Sequence, residues 1–320
     1  MSQQGQLFGR KWDVTVANAG QALDLSPLRI YCTIEQSDVE TPNHATIRIY
    51  NLSDDTSSRL LAQEFDRVVV SAGYVNGPYG VIFDGTIKQS RRGRIDQIDK
   101  YLDILAADGD LAYNYGVVNT TLAAGSTLQQ QIDAIAQGMG VQTGYLPEFQ
   151  NLGNPNLIRG KVMYGLGKDL MRNLAISHNF RWSIQQGRMV VIPNDSYIPG
   201  EAIVLSSSTG MLGFPEQTQS GISVRALLNP KLVIGQSVKI DNADIQSAQF
   251  DVAYAAVNNF PSKAADGLYR VVVSEFEMDT RDEPWWSKLT CFAINPTSDT
   301  NSTPSSTTGA PVNPWPGSSN

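Results

Sequence analysis

The sequence predicts a mainly β (α+β) protein in which two β regions flank a small α/β module and a disordered tail follows. Three observations carry this reading. Apolar residues recur with a period of two through much of residues 1–110 and 196–295, the mark of strands with one buried face. Residues 111–195 instead hold two stretches with helical apolar spacing and one tight hairpin. Residues 296–320 are mostly Ser, Thr, Pro, Gly and Asn with a single charge, Asp299, a composition that buries too little surface to offset ordering.

In the first region, Trp12, Val14 and Val16 alternate with Lys11, Asp13 and Thr15. Leu28, Ile30, Cys32 and Ile34 share one face of the next strand, and Ala45, Ile47 and Ile49 one face of a third. Asn51-Leu52-Ser53 ends that strand, and Ser53 is a good N-cap for a short helix over 54–63. Asp54 and Asp55 fall in its first turn, where the helix dipole favours negative charge. Strands over 68–74 and 81–87 flank Asn76-Gly77, a strong hairpin signal, and 101–107 adds another. A small barrel or strongly curled sheet carrying one helix accommodates these elements economically.

In the module, Ser126-Thr127 precede Leu128, Ile132, Ile135, Ala136 and Met139, an amphipathic helix stopped at Gly138 to Gly140. A Gly, Asn and Pro-rich loop over 145–160 leads to a helix over 168–178. Strands over 181–184 and 189–192 then bracket Gln186-Gly187 as a hairpin. The second β region opens with 203–240, short strands punctuated by turn chemistry: Gly213-Phe214-Pro215, Asn229-Pro230 and Gly235. Strands over 268–276 and 287–294 close it.

Composition narrows the function. Charged residues make up 17% of the chain, below the usual share of about a quarter, which suits a protein that buries much of itself against partners. The net charge of −7 argues against a phosphate-binding surface. The densest basic cluster, Lys88, Arg91, Arg92 and Arg94, is followed at once by Asp96 and Asp99 and reads as a solvated hairpin end. The opening MSQQGQLFGR has no apolar core of a secretion signal, and no apolar run is long enough to span a membrane. Folding in the cytosol is expected, with Cys32 and Cys291 as buried free thiols.

Catalytic motifs are sparse. His44 and His178 lie near no recognisable nucleophile or carboxylate motif, and neither G-x-S-x-G, H-E-x-x-H nor C-x-x-C occurs. Gly165-x-Gly167 begins like a dinucleotide fingerprint, but Leu170 stands where the third glycine belongs. A phosphate loop ending at Gly167-Lys168 would need glycine where Val162 stands. The densest acidic stretch, Asp279-Thr280-Arg281-Asp282-Glu283, could hold Ca²⁺ or serve as an acid/base pair. Arg281 in its midst and the lack of regular ligand spacing favour a solvated turn. Trp285-Trp286 offers either a sugar-stacking platform or, at a strand start, one ring inward and one outward as an interface anchor. The expectation is no enzyme, no cofactor and no metal, with Trp285, Trp286 and Arg281 as the candidate interface residues.

A family resemblance accompanies this reading. Ser208 to Glu216, Gly221-Ile222, Leu227-Leu228-Asn229-Pro230, Leu232 and Gly235 resemble a recurring stretch of the baseplate hub (tail hub) proteins of tailed bacteriophages. Thr46 to Ser53, Val68 to Gly73 with Phe83 to Ile87, Gly167 to Leu170 with Trp182 to Ile184, and Tyr269 to Val271 with Asp279 to Trp285 are similar to further hub patterns, in the same order.

The resemblance implies two β-barrel domains of tail-tube type, 1–110 and 196–295, around the module 111–195 and before the tail 296–320. It implies a homotrimer forming a ring of approximate sixfold symmetry that joins the tail tube to a central spike. The spike, the tail tube protein and other baseplate proteins are then the partners, with the tape measure protein a further candidate, in a virion tail assembled in the host cytoplasm. DNA would pass through an acidic lumen without specific binding. A tail-tip polysaccharide binder or cell-wall hydrolase is the alternative. No fused lysozyme module is visible, and the tail with its single charge has no counterpart in the pattern.

Overall fold

The computed structural model describes residues 7–147, 156–247, 261, 263–264 and 266–294. The tail expected over 296–320 and part of the loop expected over 145–160 lie outside the described residues. The chain is mostly β, with helices concentrated in the middle, as the alternation predicts. The first region contains β1 (Arg10–Ala17), β2 (Ala22–Asp24), β3 (Ile30–Ser37), β4 (Asn43–Tyr50), α1 (Asp54–Leu61), β5 (Arg67–Tyr74), β6 (Tyr79–Arg94) and β7 (Lys100–Asp108). The module contains α2 (Asp110–Tyr115), β8 (Val117–Leu122), α3 (Leu128–Gly138), β9 (Gln142–Thr143), β10 (Lys161–Leu166), α4 (Gly167–His178), β11 (Phe180–Gln185) and β12 (Arg188–Pro193). The second region contains β13 (Ile198–Leu205), β14 (Met211–Thr218), β15 (Gly221–Leu227), β16 (Gln236–Ile240), β17 (Gln246–Ser247), β18 (Leu268–Asp279) and β19 (Trp285–Ala293).

Local chemistry accounts for the element ends. The Ser53 side chain accepts from the Thr56 N–H at 3.1 Å, capping α1. Thr127 and Gln130 form a reciprocal capping box at the start of α3. Asn179, at φ 53°, ends α4 in the left-handed conformation that Asn tolerates better than most residues. β14 was not anticipated: Gly213, at φ 74°, sits in a register shift between Leu212 and Glu216, and this irregularity hides the strand's alternation.

The two β regions share one ladder. β3 pairs antiparallel with β18, so the first region (β3-β4-β7-β6-β5-β1-β2) and the second (β14-β15-β19-β18) form one continuous path within a fourteen-stranded sheet. β16 joins through β18, and β13 through β16. Laid flat, β1 and β18 would stand six strand spacings apart, roughly 29 Å at about 4.8 Å each. Instead Arg10 of β1 reaches the backbone of Asp279 at the end of β18. The first region therefore curls back on itself, enclosing Val14, Ile47, Val70, Phe83 and Ile104 with Leu60 of α1.

β18 and β19 serve two cores at once. Tyr269, Val271, Leu289 and Cys291 belong to the core of the second region, while Phe276, Met278 and Trp285 belong to that of the first. A register shift between Val271 and Val273 changes the parity of β18. Val271 and Phe276, five residues apart, can then lie on one face, opposite Cys291 and Ser287. Where the cores meet, the strands carry the small buried residues Ser274 and Ser287. The Leu228-Asn229-Pro230 turn crosses at this waist: Leu228 enters the first core and Leu232 the second. Ser274 Oγ donates to the Leu232 carbonyl at 3.1 Å, and Ser287 Oγ accepts from the Asn229 N–H at 3.4 Å.

The module has its own core, in which Tyr113 stacks on Trp182 with ring centroids 5.4 Å apart. Its β11–β12 hairpin turns at Gln186-Gly187, as the sequence predicts. That turn docks on the first region, where Asp108 accepts from the Gln186 and Gly187 N–H groups at 2.5 and 2.9 Å. Asn43 Nδ2 donates to the Ile184 carbonyl at 3.0 Å.

Candidate functional site

The candidate interface residues Arg281, Trp285 and Trp286 lie at the corner between β18 and β19, where the curled first region meets the second. Alternation along β19 sends the two tryptophans to opposite faces. Trp285 is 3% exposed and packs edge-on against Trp12, with ring centroids 6.3 Å apart. It thus joins two parts of one chain. Trp286 is half-buried; its Nε1 donates to Glu277 Oε2 at 3.0 Å, and Arg225 lies 5.2 Å from its ring centroid. Of the two readings of the tryptophan pair, the structure has the one with a ring inward and a ring outward, and the outward ring is already stacked by a cation.

The acidic corner is likewise not the freely solvated turn that its composition predicts. Asp279 and Thr280 are buried, while Arg281, Asp282 and Glu283 are exposed. Asp279 Oδ1 accepts from the backbone N–H groups of Arg281 and Asp282 at 2.8 and 3.1 Å, folding the loop around its own carboxylate. Arg29 Nη2 donates to Asp279 Oδ2 at 2.8 Å and to Asp282 Oδ2 at 3.2 Å. Burial opposes ionisation of Asp279, but Arg29 and the two N–H groups outweigh it and hold the carboxyl below the usual carboxylate range. From the far edge of the sheet, Arg10 Nη1 donates to the carbonyls of Asp279, at 3.1 Å, and Asp282, while Nη2 reaches the Glu283 carbonyl at 3.0 Å. Its guanidinium lies 5.3 Å from the Trp285 ring centroid. Among the described residues no cluster of His, Cys, Asp and Glu is arranged to hold a metal ion. Asp279, Asp282 and the corner's carbonyls are committed to closing the fold, while the Arg281 and Glu283 side chains are exposed.

A second buried charge cluster ties the three parts together. Asp38, just past β3, pairs with Arg181 of the module at 3.0 Å and with Arg270 of β18 at 3.8 Å. Arg270 Nη1 also donates to the carbonyls of Pro193 and Ser196 at 2.8 and 2.9 Å, fixing the exit from the module. Burial pushes the Asp38 carboxyl up despite both guanidiniums, and pushes Arg270 down. Glu40 accepts from Arg172 at 2.6 Å and from Trp182 Nε1 at 3.1 Å, beside an open cleft of about 660 Å³. These ions are spent on one another and on backbone groups, so the cluster positions the module and the second region against the first. Sequence reading did not single out Arg10, Arg29, Asp38 or Arg270, because their partners lie far away along the chain.

A family model described as "Baseplate hub gp41" matches residues 12–291, nearly the whole described fold. The chain belongs to the baseplate hub gp41 family. Solved structures agree at the level of fold. The 43 kDa tail protein of prophage MuSo2 from Shewanella oneidensis superposes with a TM-score of 0.56 at 8% identity, covering 89% of this chain and 97% of that one. The tail protein from Neisseria meningitidis MC58 superposes with a TM-score of 0.52 at 11% identity, again covering 89% and 97%. A comparison with curated proteins finds no match. This hub-family chain thus has a tail-protein fold, and its matched region spans both β regions and the module.

Proposed function

We propose that this hub-family chain is a structural, non-enzymatic subunit of a phage tail baseplate, three copies of which form a ring of approximate sixfold symmetry. The ring joins the tail tube to the central spike and lets DNA pass. One observation carries the reading: β18 and β19 each supply side chains to two cores, so the two β regions are held as one rigid pair. Three such pairs present six β units around an axis, which is what joining a sixfold tube to a threefold spike requires.

In this reading residues 1–110 and 196–295 are the two tube-like domains, 111–195 is a module attached through Asp38 and Asp108, and 296–320 is a tail. The partners are other copies of the chain, the spike, the tube protein and neighbouring baseplate proteins, with the tape measure protein a further candidate. The site of action is the virion tail, assembled in the host cytoplasm. A net charge of −7 suits passage of DNA without adhesion. No observation favours a glycan-binding or hydrolytic alternative, since Trp285 is enclosed and Asp279 and Asp282 pair with Arg29. Class averaging of the purified protein by electron microscopy tests the proposal: threefold rings with a central pore support it. Single particles that stay single in the presence of spike and tube proteins overturn it.

A further inference from the structure

The open cleft of about 660 Å³ lies where the module meets the first region, between the turn after β3 and the end of α4. Val39, 47% exposed, and Ile176, 76% exposed, present apolar side chains to it, and the buried Phe180 and Trp182 line it as well. Its two carboxylates are already matched: Asp38 by Arg181 and Arg270, and Glu40 by Arg172. Asn179 and Asn194 add amide groups, with Asn194 Nδ2 donating to Asn179 Oδ1 at 2.6 Å. The cleft is thus concave, partly apolar and balanced in charge.

The described residues end close by. The Ile294 N–H donates to the Leu268 carbonyl at 3.4 Å, two residues along β18 from Arg270. Arg270 Nη1 in turn donates to the carbonyl of Asn194, a cleft residue, at 3.3 Å. Two residue rises, one strand spacing and one arginine side chain place Ile294 within about 20 Å of the cleft. From Ile294 to Trp315 the chain runs 21 residues, a length that spans up to roughly 70 Å extended and about 25 Å on average as a coil. Trp315 is the one aromatic residue of 295–320; Pro314 and Pro316 flank it, and Val312 precedes it by three. The one charged side chain of 295–320, Asp299, lies well before this group.

We propose that residues 311–316 (PVNPWP) dock in this cleft of their own chain, with Trp315 against Val39 and Ile176. Three features select this occupant. The tether starts near the cleft and is long enough to reach it, which holds the segment at a local concentration on the order of millimolar. A segment without charge meets a cleft whose ions are already paired, so docking leaves no buried charge unmatched. Proline fixes its own φ, so a proline-flanked ring loses less backbone freedom on docking than an ordinary loop would, the economy that proline-rich ligands use in apolar grooves. The inference stands apart from the ring reading and gives the tail a place on the fold.

The test uses the full chain and a maleimide probe. Cys32 and Cys291 are fully buried, so in Ile176→Cys the new thiol is the accessible one. Its labelling is expected to be at least fivefold faster when Trp315→Ala is added. Val39→Cys, on the first region's side of the cleft, is expected to respond alike. Ile158→Cys, at a position 93% exposed and outside the cleft lining, is expected to label at one rate with and without Trp315. Equal rates at the two cleft thiols in both backgrounds overturn the inference. An equal rise at Ile158→Cys also overturns it, since Trp315 would then act on the whole fold. Protection that fades over a hundredfold dilution overturns it too, because the segment would then come from a neighbouring copy. None of these results bears on the ring, which class averaging tests by itself.

Discussion

Arg10 and Asp279 are 269 residues apart and stand six strand spacings from each other along the sheet, yet the Arg10 guanidinium donates to the Asp279 carbonyl at 3.1 Å. The same guanidinium bonds two more carbonyls of the corner loop and lies over Trp285. One side chain thus closes the curled sheet of the first region against the strand pair it shares with the second.

Arg10→Ala should therefore cost about 2 kcal/mol of stability, the scale of charge-assisted hydrogen bonds lost at a partly exposed site. Chemical denaturation measures it. Arg10→Lys should recover only part, since one ammonium cannot span three carbonyls in the geometry of a planar fork. Equal stability of all three proteins would show that the closure rests on the Trp12–Trp285 contact instead.

The two adjacent tryptophans should behave differently. Trp285→Ala removes a buried ring shared between β1 and β19 and should cost about 3–5 kcal/mol. Trp286→Ala removes a half-buried ring with one hydrogen bond and one stacked cation and should cost about 1 kcal/mol. Paired unfolding curves decide this, and a larger loss at Trp286 would reverse the assignment of core and surface.

Asp279 should make the fold acid-sensitive. Its folded carboxyl titrates below its unfolded value, because Arg29 and two backbone N–H groups favour the ionised form over the cost of burial. The stabilisation is present above the unfolded value of about 4 and is lost as pH falls through the folded one. Asp279→Asn should be less stable than wild type at pH 7, with the gap narrowing below pH 4. Melting temperatures across that range test it.

Asp108 should act in the opposite direction. Burial pushes its carboxyl up to about 6, against the two hairpin N–H groups that favour ionisation. With the folded value above the unfolded one, the contribution is fully present below about pH 4 and is lost as pH rises through 6. Relative to Asp108→Asn, wild type should gain on the order of 2 kcal/mol between pH 7 and pH 4. A gap that stays constant with pH would place the titration elsewhere.

Much of the architecture was legible in the sequence. Ile30, Cys32 and Ile34, or Ala45, Ile47 and Ile49, alternate cleanly because one face of each strand is buried and the other is not. Ser53, Thr127 and Gln186-Gly187 mark ends and turns by chemistry that acts within a few residues. The two-stranded β8–β10 ribbon was missed because its strands pair across about forty residues, and because the outward Val117, Val162, Tyr164 and Leu166 are apolar, which blurs the alternation. Of the candidate interface residues, the sequence could place one tryptophan inward and one outward from strand geometry, but not say what would enclose the inward ring.

The sequence by itself determined the mainly β class, the module between two β regions and the helix caps, since these depend on side-chain periodicity and short-range hydrogen bonding. Only the tertiary structure decided that the two β regions share β18 and β19, that Arg10 and Arg29 clamp the corner at Asp279, and that Asp38 joins all three parts. Those contacts link residues from about 140 to 270 positions apart. Their energy comes from burial and charge pairing that exist only once the sheet has curled, and no local pattern encodes them.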